Sequence, residues 1–335
     1  MWIDIFMLVL SLVIILLSCE LFTNGIEWLG KKLNVGDGVV GSIFSAVGTC
    51  LPETMVPIIA IMFANNGKDS VDVGIGAIIG APFMLSTLAF FLSGLSVLIF
   101  WKRRRSGSVM HVNARILSRD IGFFIIVYSI GIAASFINSA SVKYIIAMFL
   151  LAYYIYYIIL TVKSDHITHG ELEPLYMGRY LGGRSNLLTI VLQIALALTG
   201  IILGAHIFVD NLESTSEIIG IPTLVLSLII TPIATELPEK FNSVIWISKR
   251  RDTLALGNIT GAMVFQSCIP VAIGILATSW QLDIKALMSG ILSILSATVT
   301  YLWIKLTGKL TPAPLLTGGA FYIAFIAFLV MRGFQ

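Results

Sequence analysis

The sequence predicts an all-α polytopic membrane protein with ten transmembrane helices arranged as two inverted five-helix repeats. Three observations predict it. Of 335 residues, 57% are hydrophobic and 12% charged, and mean hydropathy is +0.96, whereas a soluble domain carries about a quarter charged residues. Many apolar runs reach the length needed to cross a bilayer. Finally, Gly48-Thr49-Cys50-Leu51-Pro52-Glu53 sets a proline and a carboxylate inside an apolar run, and Ala234-Thr235-Glu236-Leu237-Pro238-Glu239 repeats the pattern.

In chain order, span 1 covers residues 2–28 and is closed by Lys31-Lys32. Asp4 is its only charge before Glu20 and no Lys or Arg precedes it, so it reads as a retained helix rather than a cleaved signal. Span 2, residues 35–63, contains the Leu51-Pro52-Glu53 interruption. Span 3, residues 73–101, opens with Gly74, Gly76, Gly80 and Pro82, which permit close helix approach and irregular backbone. A basic loop at 102–119 leads to span 4 (121–137) and span 5 (142–160). The tyrosines of span 5 (Tyr153, Tyr154, Tyr156, Tyr157) suit an aromatic belt or a packing surface. The polar stretch 163–186 reads as a flexible cytoplasmic linker between a first repeat, 1–162, and a second, 187–335. In it His166 and His169, with Asp165, Glu171 and Glu173, are either a metal-sensing patch or simply solvated. Spans 6 (187–209), 7 (219–247), 8 (254–279), 9 (284–306) and 10 (313–331) complete the chain.

The two halves align without gaps when Glu53 is placed on Glu239. Phe22 then falls on Phe208, Asn24 on Asp210, Glu27 on Glu213 and Thr49 on Thr235. A second block, Gly76-Ala77-Ile78-Ile79-Gly80-Ala81, matches Gly257-Asn258-Ile259-Thr260-Gly261-Ala262 after a shorter loop. Sixteen Lys and Arg lie in the loops after spans 1, 3, 5, 7 and 9. Four (Lys68, Lys143, Lys285, Arg332) lie on the other side, and Lys240 sits inside span 7. The first side is therefore cytoplasmic, both termini are outside, and the repeats insert with opposite topology. The net charge of +3 comes from loop residues and does not indicate nucleic acid. Cys19, Cys50 and Cys268 all lie in apolar segments, which argues against a disulfide framework. No nucleotide loop, His-Glu-x-x-His or nucleophile triad is present, so an enzyme is not expected, nor is a cofactor.

A carboxylate at membrane depth costs roughly 2.5–3.5 kcal/mol and is by default a functional residue. Each half offers a threonine, a proline that frees a backbone carbonyl one turn earlier, and a glutamate. Thr49, Glu53, Thr235 and Glu239 thus supply an all-oxygen set of the kind hard cations need. Two such carboxylates repel unless protonated or bridged by cations, which is a basis for exchange. Glu236 stands four residues before Lys240 and either pairs with it or acts as a further ligand or proton carrier. Ser86, Thr87, Asn258, Thr260, Gln266 and Ser267 add oxygens, although helix–helix hydrogen bonding is the commoner use of such residues.

These residues also carry a resemblance. Gly48 to Glu53 resembles the Gly-Thr-Ser-Leu-Pro-Glu signature of the sodium/calcium exchanger family, within the cation/calcium antiporter superfamily. Leu33-Asn34-Val35-Gly36-Asp37-Gly38-Val39-Val40-Gly41 is similar to its lead-in, and the Gly76 and Gly257 blocks to its Gly-Asn-x-x-Gly-Ser-Asn element. The resemblance spans roughly residues 19–95 and 205–275, and marks the chain as a divergent, prokaryotic-type member. It implies ten helices in two inverted halves, ion sites at the midplane, and spans 1 and 6 sliding against a core of spans 2, 3, 7 and 8. It further implies that Thr49 and Glu53 are first-repeat ligands and Thr235 and Glu239 second-repeat ones. Where the family has serine, this chain has Cys50, Glu236, Ala81 and Ala262, and the usual Asn or Asp is Leu85 in one half and Gln266 in the other. Several sodium-coordinating oxygens are missing and one carboxylate has been added.

The expected function is secondary active antiport of Ca²⁺, or a related divalent cation, against Na⁺. The alternatives are H⁺-coupled or differently selective exchange, and a non-transporting sensor or partner subunit. The expected metal site comprises Glu53, Glu239, Thr49, Thr235, Glu236 and Gln266. The expected partners are inorganic cations and the lipid bilayer, with no nucleic acid and the oligomeric state open. The expected location is a prokaryotic plasma membrane.

Overall fold

The structure is a computed structural model that describes residues 2–32, 50–62, 68–103, 109–164, 173–180 and 186–332. The described residues are helical apart from short connections and one isolated β-bridge. Helix α1 (Trp2–Lys32) is followed by α2 (Leu51–Met62) and α3 (Lys68–Met84), and a π-helical turn (Leu85–Ala89) carries α3 into α4 (Phe90–Phe100). Then come α5 (Ala114–Ala133), α6 (Ala140–Ser164) and the short α7 (Tyr176–Tyr180). The second half holds α8 (Leu187–Ile219), α9 (Thr223–Ser248), α10 (Asp252–Ala277), α11 (Ile284–Thr307) and α12 (Pro312–Arg332).

Among the described residues, eight helices are long and apolar enough to cross a membrane, and they fall on the expected spans 1, 3, 4, 5, 6, 8, 9 and 10. Two shorter apolar helices, Glu53–Met62 and Thr223–Glu236, fall on spans 2 and 7. Apolar residues of the long helices, such as Leu188, Leu196 and Leu203 of α8, point outward, as a lipid-facing surface requires. Cys19, Cys50 and Cys268 are buried thiols.

α1 and α8 form the most extensive helix pair and run antiparallel. Small residues bring them together: Gly25 abuts Ile194, Gly200 abuts Ser18, and Gly204 abuts Ile15. Their apolar contacts, joined by Val56, Ile59 and Ala60 of α2, form a hydrophobic cluster separate from the one that unites α3, α5, α6 and α9–α12. α10 lies at the centre of that larger cluster, with 78% of its most apolar stretch buried.

α3 and α9 run parallel and nearly touch. A Cβ on Gly76 would lie 2.7 Å from the Leu224 carbonyl oxygen, and one on Gly80 would run into the Leu228 carbonyl. Ser227 Oγ donates to the Val73 carbonyl at 2.6 Å across the same contact.

Loop contacts sort the helix ends into two sets. At one end Met110 N–H donates to the Leu310 carbonyl, His111 N–H donates to Asp252 Oδ2 at 2.8 Å, and Thr253 Oγ1 donates to the His111 carbonyl. At the other, the Lys143 ammonium donates to the carbonyls of Ser279 and Trp280 beyond the end of α10.

The linker departs from expectation. His166 and His169 lie outside the described residues, but Glu173–Tyr180 is not a free tether. Asn24 Nδ2 donates to the Glu173 and Pro174 carbonyls, Trp28 Nε1 donates to the Glu173 carbonyl at 2.9 Å, and Leu175 is buried. The side chains that grip it stand on α1 and α8, which composition of the linker itself does not reveal.

Candidate cation-binding site

α2 begins at Leu51, so Pro52 occupies the first helical turn, where a missing N–H breaks no helical hydrogen bond. Whether this interrupts span 2 rests on residues 35–49, which lie outside the described residues. Thr54 N–H and Thr54 Oγ1 both donate to the Cys50 carbonyl, at 3.2 and 2.7 Å, and close that turn. Glu53 is 3% exposed and sits in the same turn, where the helix macrodipole stabilises negative charge. α2, the helix that carries Glu53, packs on α3, α8 and α10 and also meets α9 and α1. Thr49 lies outside the described residues.

The second half is built differently. α9 stays helical from Thr223 to Ser248, so the break expected at Pro238 is absent. A proline can be held inside a membrane helix because neighbouring helices and side chains satisfy the freed groups. Thr235 is fully buried and its Oγ1 donates to the Thr231 carbonyl at 3.0 Å. Glu239 lies in α9, its side chain outside the described residues.

Glu236 and Lys240 form a buried ion pair, Nζ to Oε2 3.3 Å, with both side chains 2% exposed. α10 completes the group. Gln266 Nε2 donates to Glu236 Oε1 at 3.5 Å, and Lys240 Nζ donates to Asn258 Oδ1 at 3.3 Å. Glu236, the acid that stands where the family has serine, thus meets Gln266, another departure in this half. Gln266 Oε1 is buried with no hydrogen-bond partner among the described residues, so it is the open acceptor of this group.

The other oxygens are engaged in packing. Ser86 Oγ shares a 2.8 Å hydrogen bond with Ser293 Oγ, Ser296 Oγ donates to the Ser86 carbonyl at 2.6 Å, and Ser267 Oγ donates to the Val264 carbonyl. Leu85 opens the π-helical turn that these serines pin to α11, and a Cβ on Gly318 of α12 would collide with the Thr87 carbonyl of that turn. π-turns inside helices often mark functional positions.

Sequence reasoning missed Asp120. At the foot of span 4 beside Arg119 it reads as a loop charge, yet it is 2% exposed. Arg119 Nε and Nη2 donate to its Oδ1 at 3.1 Å, and Thr260 Oγ1 of α10 donates to its Oδ2 at 3.2 Å. Arg119 also donates to Thr161 and lies over the Tyr157 ring, so the carboxylate locks α5, α6 and α10 together. Tyr154 and Tyr157 are buried, with Tyr154 edge-on to Phe265, so half of the tyrosine run is a packing surface.

A membrane bundle that buries carboxylates in its central helices defines a class, that of polytopic membrane proteins with intramembrane ionic groups. The chain belongs to the sodium/calcium exchanger protein family, which matches residues 3–163 and 189–334. It is a membrane protein of an ion exchanger family, a family of transporters. Inner membrane protein YrbG of Escherichia coli (strain K12) is 23% identical, over 96% of this chain and 95% of that one. The H⁺/Ca²⁺ exchanger CAX shares the fold at a TM-score of 0.73 and 18% identity, covering 98% of this chain and 82% of its own. The sodium-calcium exchanger NCX_Mj does so at 0.58 and 21%, covering 97% of each chain.

Proposed function

We propose that this protein is a secondary active antiporter that moves Ca²⁺, or a related divalent cation, against Na⁺. Glu53 and Glu239 are the ion-binding carboxylates, with Thr49, Thr235 and Gln266 supplying neutral oxygens. The observation that carries the reading is Glu53: a buried carboxylate in the first turn of α2, a helix that packs on α1, α3, α8, α9 and α10, in a chain of the exchanger family. Two carboxylates and several neutral oxygens suit a hard divalent ion, and two monovalent ions balance the same charge.

The architecture proposed is ten transmembrane helices in two inverted repeats, 1–162 and 187–335, joined by the linker 163–186. The antiparallel α1–α8 pair supports it, because spans 1 and 6 are equivalent positions and equivalent helices of inverted halves run in opposite directions. The distribution of Lys and Arg supports both termini outside, and the similarity to an inner membrane protein of Escherichia coli supports a prokaryotic plasma membrane. Alternating access is proposed as movement of α1 and α8 against the remaining helices, across the apolar contacts they make with Val56, Ile59 and Ala60 of α2 and Val73 of α3.

Coupling to H⁺ is a second reading. Cys50, Ala81, Ala262 and Leu85 remove oxygens that a sodium ion would use, and CAX, whose fold is shared, is an H⁺/Ca²⁺ exchanger. The test is ⁴⁵Ca²⁺ uptake by purified protein in vesicles, first with an outward Na⁺ gradient and then with an outward H⁺ gradient. Uptake under Na⁺ alone sinks the proton reading, and uptake under H⁺ alone sinks the sodium reading. No uptake of any divalent cation by correctly inserted protein points to a sensor or partner subunit.

A further inference from the structure

The apolar stretch of α9 runs alongside α12, yet the described residues of the two helices do not pack closely on each other. Glycines set where α12 is held. Gly94 of α4 abuts Leu315, Gly318 abuts the Thr87 carbonyl and Gly319 abuts the Phe91 ring, so the first turns of α12 lie tight against its neighbours. Further along, aromatic bulk replaces the glycines. Tyr322 stacks on Phe83 at 5.5 Å, and Phe325 meets the same ring edge-on at 4.8 Å. Past this wedge a groove of about 250 Å³ opens, with Leu226, Ile229 and Ile230 of α9 on one wall and Ile326 and Leu329 of α12 on the other.

The direction of the helices places the groove. α10 starts at Asp252 beside His111, and Met110 meets Leu310 just before α12, so α10 and α12 run the same way. α9 joins α10 through residues 249–251 and runs oppositely. The start of α9 and the end of α12 therefore share the end of the bundle where Lys143 meets Trp280.

Every lining side chain is aliphatic. A groove without hydrogen-bonding groups does not hold water, and about 150 Å³ of apolar space already holds a benzene ring. The lining runs from Ile221 to Ile230, about 13 Å at the rise of a helix, against about 15 Å for one leaflet of a ~30 Å hydrocarbon core. A cation stands at its head. Arg332 is exposed three residues beyond Leu329, on the same side of α12, and its guanidinium lies 5.8 Å over the Phe328 ring.

We propose that this groove is a phospholipid site, which takes one acyl chain of an anionic phospholipid while Arg332 holds the phosphate. The lining fits hydrocarbon, its length fits one leaflet, and a guanidinium matches a phosphate in charge and geometry. A zwitterionic head offers the same phosphate with its charge cancelled, so an anionic head is preferred. The chain so held braces α9 five residues before Thr235.

The test uses the full chain in detergent, stripped of lipid and then given dioleoylphosphatidylglycerol or dioleoylphosphatidylcholine, whose acyl chains are identical. Native mass spectrometry counts the retained lipid and thermal unfolding reads its effect. Wild type is expected to retain one phosphatidylglycerol per chain in competition with phosphatidylcholine, and to unfold at a higher temperature with it. In Arg332→Gln the two lipids should be retained alike and raise the unfolding temperature alike. Leu226→Trp fills the groove and should lose the retained lipid whatever its head. Ile326→Trp serves in its place should Leu226→Trp fail to insert. The proposal is overturned if wild type retains both lipids equally or if Arg332→Gln keeps the preference. It is equally overturned if the filled groove retains as much lipid as wild type, which marks an adventitious surface lipid only. A wild-type dimer that Leu226→Trp splits into monomers gives the groove to a second copy of the chain and also overturns it.

Discussion

Gln193 of α8 donates from Nε2 to Asn24 Oδ1 of α1 at 3.0 Å, joining the two longest described helices near the linker. The same amides hold the linker: Tyr176 N–H donates to Asn24 Oδ1 at 3.1 Å and Met177 N–H donates to Gln193 Oε1 at 2.8 Å. Gln193 also donates to the Leu21 carbonyl at 2.8 Å. α1, α8 and residues 173–178 are thereby one unit, so a sliding α1–α8 pair takes the strap with it.

Gln193→Leu leaves these partners unsatisfied in a largely buried place, and is expected to cost about 1–3 kcal/mol. Hydrogen exchange at the Tyr176 and Met177 amides should accelerate while the α10 amides stay protected. Unchanged protection at 176 and 177 would show that Gln193 does not hold the strap.

The strap should also loosen in alkali. The Tyr176 hydroxyl donates to Glu173 Oε2 at 2.7 Å, and Glu20 Oε1 lies 2.9 Å from the same hydroxyl as an alternative acceptor. The hydrogen bond to Glu173 is the main cause that raises its pKa above the usual tyrosine value. A raised pKa means the neutral phenol is favoured in the fold. Its stabilisation is complete below the unfolded value of about 10 and is lost as pH rises through the folded value. Exchange at 176–177, corrected for the intrinsic pH effect, should be flat through neutral pH and rise only in strong alkali, and Tyr176→Phe should abolish that rise.

At the α3–α9 contact, Gly80→Ala would push a methyl group into the Leu228 carbonyl and to 2.7 Å from Pro232 Cγ. Neither neighbour is a flexible side-chain end, so the helices must separate. Overpacking of this kind costs about 1–3 kcal/mol. The unfolding temperature in detergent should fall, and ⁴⁵Ca²⁺ uptake with it, because α9 carries Glu239. An unchanged unfolding temperature would show that the helices part at no cost.

Asp120→Ala removes the acceptor for both Arg119 and Thr260, and a loss of about 1–3 kcal/mol is expected. Thr260→Val should cost less, about 0.5–1.5 kcal/mol. A double-mutant cycle on thermal unfolding should give a favourable coupling between the two positions. Zero coupling would mean that the 3.2 Å contact carries no stability.

Glu53→Gln keeps the size of a buried side chain and removes its charge. Divalent uptake should drop to background while the unfolding temperature, measured without divalent ions, holds or rises. Retained uptake would remove Glu53 from the ion-binding carboxylates.

Much of this was legible before the structure. Apolar runs placed the helices because insertion into a bilayer depends on local composition. The spacing of Glu236 and Lys240 announced their pair, since residues four apart share a helix face. Asp120 was not legible, because its partner Thr260 stands 140 residues away and a carboxylate beside an arginine at a helix foot reads as solvated. Lys143 was equally hidden. Counted as a loop charge, it is buried against the Ser279 and Trp280 carbonyls, a partnership that only the meeting of α6 with the end of α10 creates.

The sequence by itself determined the membrane class, the repeated Thr-x-Leu-Pro-Glu block and the expected sidedness of the loops, all of which follow from hydropathy, charge count and spacing along one chain. Tertiary structure decided the rest. It kept α9 helical through Pro238, docked the linker on Asn24 and Gln193, and turned Ser86 and Ser267 to packing. It also gave both ends of the Glu236–Lys240 pair to one face of α10. The physical reason is that a buried polar group must be satisfied, and here its partner stands on another helix, at a distance in sequence that no local pattern encodes.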